Sequence, residues 1–197
     1  IYPAAHRGRI HVSGGLLWAG GRIVGVSPHH MAFDPANGET ALLAPSPAPR
    51  HHPQLVSHGG RIYQLGGFSS SYGAIAWTMS RETLVYDDAA DSWDERAPSP
   101  APHGECVAAS MGGHIHLVGG RAPKGEANAA YGDHADSTQH LVYDPAANVW
   151  SNAAPALAAR NSAAGAVIGG LWHIAGGRSV TGGPTDAHEV YDPKEDR

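Results

Sequence analysis

The feature that most constrains this chain is a glycine pair that returns at Gly14-Gly15, Gly66-Gly67, Gly119-Gly120 and Gly176-Gly177, at intervals of 52, 53 and 57 residues. A period near 50 belongs to propellers and solenoids, because a unit of that size cannot bury its own faces and must stack on its neighbours. Other residues keep the same register. An aromatic-Asp dipeptide follows each pair, at Phe33-Asp34, Tyr86-Asp87, Tyr143-Asp144 and Tyr191-Asp192. Seven residues after the aromatic stand Thr40, Trp93 and Trp150, and ten residues further on stand Arg50, His103 and Arg160. A short apolar run entered by a glycine turn precedes the last three pairs, as in Gly112-Gly113-His114-Ile115-His116-Leu117-Val118, and Gly8 to Ser13 give a weaker copy.

This pattern resembles the kelch repeat, which is marked by a di-glycine followed by a Tyr and a Trp at set spacing. The resemblance covers residues 1–197 and implies an all-β fold, a kelch-type β-propeller of about four blades with four antiparallel strands each. The repeats fall at about 1–49, 50–102, 103–159 and 160–197, the last incomplete. With strands lettered A to D, the sequence starts within an A strand and stops one residue before the Trp of the fourth repeat would fall. The expectation is a portion of a larger ring, or a ring closed by another chain. Phe33 and Thr40 replace the Tyr and Trp of the first repeat, so that blade should pack least well.

Composition narrows the partners. A formal net charge of −5 with only 13 Lys and Arg supplies no basic stripe, which argues against nucleic acid. No apolar run approaches the roughly 20 residues needed to span a bilayer. Cys106 is the single cysteine, so no intrachain disulfide forms. The compartment stays open, with a periplasmic or secreted location favoured slightly over the cytoplasm. The chain begins at Ile1 with no leader pattern, which reads as a processed product or a piece of something longer. Its Ala- and Gly-rich repeats suit a bacterial-type kelch protein.

Most of the repeated residues read as structural. Tyr86, Tyr143 and Tyr191, with Trp93 and Trp150, are expected between blades, largely buried. The aspartates after the aromatics open tight turns, as in Asp34-Pro35 and Asp144-Pro145. His30, His140 and His188 precede strand C in three repeats, with Thr83 in the other, and are expected to make blade-to-blade hydrogen bonds.

Function is expected on one face. An antiparallel meander sends the B–C and D–A connections to the same side, and the B–C loops are long and polar, carrying Tyr72, Trp77, Arg121, Lys124, Tyr131, His134, Asp136, Arg178 and Asp186. The D–A segments arrive beside them, and Arg50, His51, His52, His103, Glu105, Arg160 and Asn161 are expected to ring the mouth of the central channel as a ligand site. Three classes of function fit such a face. The resemblance implies first a scaffold that binds a protein or carbohydrate ligand, with no cofactor and no metal. The alternative is a carbohydrate-active enzyme, similar to the kelch sialate mutarotases, with Glu105 and His103 as the acid–base groups. The propeller of galactose oxidase is also similar, and Cys106 invites the comparison. However, Asn161 and Ser162 stand where its partner Tyr would belong, so copper-radical chemistry is not expected. Plant specifier proteins have an iron loop that Asp136 and His140 match in part, but Gly132 stands at the Glu position and two ligands hold iron poorly.

Overall fold

A computed structural model describes residues 2–69 and 77–197. The first blade runs β1 (Ala4–His6), β2 (Arg9–Ser13), a hairpin of β3 (Leu16–Ala19) and β4 (Arg22–Val26), then β5 (His30–Phe33) and β6 (Thr40–Leu43). The second has β7 (Gln54–His58), β8 (Arg61–Leu65), the hairpin β9 (Phe68–Ser69) and β10 (Thr78–Met79), β11 (Thr83–Asp87) and β12 (Ser92–Arg96). The third has β13 (Val107–Met111), β14 (His114–Val118), the hairpin β15 (Arg121–Pro123) and β16 (His134–Asp136), β17 (His140–Asp144) and β18 (Val149–Asn152). The fourth has β19 (Ala164–Ile168), β20 (Leu171–Ala175), the hairpin β21 (Arg178–Ser179) and β22 (Gly183–Pro184), and β23 (His188–Tyr191).

The chain is an all-β propeller of four antiparallel blades. Three of its sheets have four strands and the fourth has three among the described residues. The one helical element described is a single 3-10 turn at Tyr131–Asp133. Among the described residues β1 pairs with β2 and β23 with β20, and the first and last blades exchange no strand. The inner strands face a common centre, where a cavity of about 380 Å³ is lined from all four blades, by Tyr2, Gln54, Cys106 and Ser162 among others.

Each interface between consecutive blades has its own apolar core. Ala4, Leu55, Ile62 and Tyr86 fill the first. Val56, Leu65, Val85, Leu117 and Tyr143 are among those that fill the second, and Val107, Val118, Trp172, Ile174 and Tyr191 help fill the third. The far faces of the first and fourth blades are open, with Met31, Phe33 and Leu42 exposed on one and Val167, Ile168 and Val190 on the other. Tyr86 and Tyr143 are fully buried as expected, but Trp93 and Trp150 are only half-buried. They lie on the outermost strand, whose outer flank meets solvent.

A polar latch crosses every interface. The side-chain oxygen of a C–D turn residue accepts from the Tyr of its own blade and from a backbone N–H of the preceding blade. Asn148 Oδ1 accepts from Tyr143 Oη at 2.7 Å and from Ala97 N at 2.8 Å. Asp91 does the same with Tyr86 and Ala44, and Asp196 with Tyr191 and Ala154. All three turn residues are left-handed, with φ between 46° and 57°, a conformation that Asp and Asn tolerate best among residues with a side chain. Trp93 and Trp150 donate Nε1–H to the carbonyls of the same Ala44 and Ala97.

The register histidines correct one expectation. His11 and His30 share a hydrogen at 3.0 Å within the first blade, as do His116 and His140 within the third. The hydrogen bonds are therefore inside a blade. The neighbouring blade is met by ring contact, with His30 edge-on to Tyr86 and His140 edge-on to Tyr191. The second blade has Tyr63 and Thr83 at both positions, so the pair is kept or lost together.

Candidate functional site

The D–A segments of three blades lie around one cavity in two layers, one of them buried throughout. Arg50, His103 and Arg160 belong to the buried layer, which corrects their expected place at the exposed rim. Their backbone carbonyls accept from the second glycine of the preceding blade, Gly15, Gly67 and Gly120. Those glycines have positive φ, and a Cβ on Gly120 would lie 2.5 Å from Cys106 Sγ of its own blade, so only glycine lets the corner sit against that blade's D–A segment. Arg50 is 1% exposed and donates to the carbonyls of Ala48, Gly66 and Glu82, while its Nη2 pairs with the Glu82 carboxylate at 2.5 Å. Burial lowers its guanidinium pKa to about 10. Arg160 is held in the same way by Glu189 and the Ile174 carbonyl. His103 sits against the Ala101 carbonyl at 3.1 Å, and full burial depresses its imidazole to about 4.

The second layer lies two residues on, with Glu105 buried and His52 and Ser162 half-buried. His52, Glu105 and Ser162 occupy equivalent positions, and all three are left-handed with φ of 52°, 54° and 53°. Strain of this kind persists only where the surroundings enforce it and collects at functional sites. Here it directs three side chains toward one another around a mouth cavity of about 470 Å³, completed by Tyr2, Gly177, Arg178 and Pro184. The Tyr2 hydroxyl reaches Ser162 Oγ at 3.5 Å, and burial raises its pKa. His52 meets His51 Nδ1-to-Nδ1 at 2.7 Å, and burial lowers its pKa. His51 itself is buried, stacked on Phe68 and edge-on to Trp77.

Glu105 is the hinge of the mouth. Its carboxylate takes Arg178 at 3.0 Å and lies 3.7 Å from Arg121. Arg121 is fully buried and stacks over the Tyr131 ring at 3.7 Å, a contact that suits a guanidinium over an aromatic face. Glu105 Oε2, Arg121 Nε and Nη1, and both ring nitrogens of His134 make no hydrogen bond among the described residues. Buried polar atoms in that condition are costly. Asn161, also buried, donates to Asp136 at 2.6 Å and accepts from Arg178 Nε at 3.0 Å, so it positions Arg178 rather than facing the cavity.

The B–C hairpins dock side by side above this ring. Asn128 bonds both N–H and C=O of Met79, joining the second hairpin to the third. Asp136 accepts from Val180 N, joining the third to the fourth. Trp77 stands edge-on to Tyr131, which is 45% exposed, so these two form an aromatic ledge beside the mouth. Tyr72 lies outside the described residues. Arg121 and Arg178 were legible as loop residues but not as site residues. The available signal was Gly-Gly-Arg in two consecutive repeats.

The remaining candidates do not come together. Cys106 is buried with its Sγ against the Gly119 carbonyl, and burial pushes its thiol up to about 12, which leaves little thiolate for reaction. His140 faces His116 and the Ala154 carbonyl, while Asp136 faces Asn161 and Val180, so the two do not form a shared site. Among the described residues no group of three or more His, Cys, Asp or Glu could hold a metal ion, and no helix is long and apolar enough to cross a membrane.

Antiparallel blades with di-glycine corners, and with their long loops gathered on one face, define the class as a β-propeller scaffold. No family model matches the chain. It is similar to mouse Kelch-like protein 35, at 26% identity over 82% of this chain and 25% of that protein. It is also similar to Kelch-like protein terF of Aspergillus terreus, at 25% identity over 86% of this chain and 36% of that protein. Beta-scruin of Limulus polyphemus is 30% identical over 74% of this chain and 14% of its own length. The chain thus spans about a third or less of the length of these relatives. Together with the four-bladed fold, these likenesses place it in the kelch-repeat β-propeller family.

Proposed function

We propose that this propeller is a binding scaffold that takes a protein ligand on its loop face, centred on the mouth formed by Tyr2, His52, Glu105, Ser162 and Arg178. The observation that carries the reading is the set of three equivalent left-handed residues, His52, Glu105 and Ser162, whose side chains converge on one cavity. Left-handed strain repeated at one register position in three blades is of the kind that collects at functional sites. Arg178, 53% exposed at its side chain, offers charge-assisted donors at the rim. Trp77 and Tyr131 beside it supply the aromatic surface that binding hot spots favour.

A catalytic role for Glu105 would require its carboxylate to leave Arg178, and no feature of the cavity favours that reading over binding. Site-specific photocrosslinking tests the proposal. A photoreactive residue at Tyr131 or Arg178 should capture the same partner, and the capture should be lost in His52→Ala with an unchanged melting temperature. Equal capture from position 61, on the short-turn face, would refute it.

A further inference from the structure

One of the hairpins on the loop face is almost wholly apolar. Across β3, β4 and their flanks, residues 14–28, every residue is Gly, Leu, Trp, Ala, Ile, Val, Ser or Pro except Arg22. No acidic residue stands there, in a chain whose formal net charge is −5. The third hairpin, by contrast, carries Arg121, Lys124, Asp133 and Asp136. The β3–β4 ribbon closes over Gly20-Gly21, whose φ of 58° and 74° suit the tight two-residue turn of a hairpin. A Cβ at Gly20, Gly21 or Gly25 would meet nothing within 4 Å, so these glycines border open space. Trp18 is 65% exposed, the one exposed tryptophan among the described residues.

Both faces of this ribbon are apolar. Trp18 pairs in register with Ile23, and Leu16 with Val26, which puts the four on one face. Leu17, next to Trp18, belongs to the other face, and Val24 stands at the bulge; they are 38% and 43% exposed. A protein groove or a neighbouring hairpin covers one face of a two-stranded ribbon, as the third hairpin meets the second through Asn128 and Met79. Further chain beside the first blade would cover one face in the same way and leave the other. Apolar side chains on both faces suit a medium that surrounds the tip.

We propose that the β3–β4 hairpin docks this propeller on a lipid surface, its tip entering the boundary between headgroups and acyl chains. Tryptophan favours that boundary, and a lone arginine at the tip reaches lipid phosphates. From Leu16 to Ala19 the ribbon reaches roughly 10 Å at about 3.3 Å per residue, which matches the depth of interfacial elements. The chain thereby lies on the bilayer without spanning it. Docking is independent of the partner proposed for the mouth.

The probes are vesicles of phosphatidylcholine alone and vesicles with about a fifth of phosphatidylserine. Flotation should recover the chain with both. Trp18→Asp and Leu17→Asp, at exposed positions, should lower partition by at least about tenfold with melting unchanged, and Trp18→Phe should keep most of it. Arg22→Gln should weaken binding to the anionic vesicles by about fivefold and leave the neutral ones unchanged. An environment-sensitive fluorophore on Ala19→Cys should shift to the blue on vesicles, and one on Arg61→Cys, on the short-turn face, should not; Cys106 is buried and does not compete for the label. No flotation with either vesicle, Trp18→Asp floating as wild type does, or an unshifted fluorophore at position 19 would overturn the proposal. So would a lipid-free dimer lost in Trp18→Asp, which would assign the hairpin to a second copy.

Discussion

Asn148 offers the sharpest test of how the blades are held together. Its Oδ1 accepts both from the buried Tyr143 hydroxyl and from the Ala97 N–H of the preceding blade. Asn148→Ala removes both bonds. Each net bond contributes about 1 kcal/mol, and stranding a buried hydroxyl adds to that. Alanine must also hold a φ of 57°, which costs about 1 kcal/mol in the left-handed region. The expected loss is about 3 kcal/mol. Asn148→Gly lifts the backbone term and should lose about 2 kcal/mol. Asn148→Asp should stay within about 0.5 kcal/mol of wild type, because aspartate stands at the equivalent positions 91 and 196 and makes the same bonds. Urea midpoints at constant slope measure all three. An alanine variant as stable as wild type, or an aspartate variant as damaged as alanine, would refute the latch.

Three further outcomes follow from the same structure. His103 has a folded pKa of about 4 against an ordinary value near 6.5, so its contribution is complete above pH 6.5 and lost as the pH falls toward 4. The loss approaches about 3 kcal/mol, and His103→Gln should flatten that part of the stability–pH curve; an unchanged curve would exclude this group as its source. Gly120→Ala, with φ of 79° and a Cβ 2.5 Å from Cys106 Sγ, should cost more than about 2 kcal/mol, whereas Gly125→Ala, with nothing within 4 Å, should be silent in a thermal melt. Arg50→Ala should destabilise by about 3 kcal/mol, because it leaves the carbonyls of Ala48, Gly66 and Glu82 without their guanidinium donor; a melt matching wild type would return Arg50 to the rim.

Much of this arrangement was legible in the sequence, for a physical reason. Glycine pairs at corners and Tyr at blade interfaces are fixed by backbone conformation and by volume, and both leave a trace in residue type. Register alone says which position a residue takes, not whether its side chain turns inward. Arg50 and Arg160 turn inward because each glycine corner leaves carbonyls facing the blade, and a guanidinium reaches several at once. Trp93 and Trp150 are half-buried because the outermost strand has a neighbour on one side only. The left-handed state of His52, Glu105 and Ser162 is imposed by the converging segments, and no residue type announces it. Asp91, Asn148 and Asp196 could have been found, since Asp and Asn recur five residues after each Tyr.

Ligand binding is proposed to belong to the mouth and its loop face. Hydrogen exchange on the complex with the crosslinked partner tests it most directly. Exchange should slow at residues 128–136 and 177–181, with the turns at 58–61 and 111–114 unchanged. Protection at those turns, with the mouth exchanging as in the free chain, would contradict it.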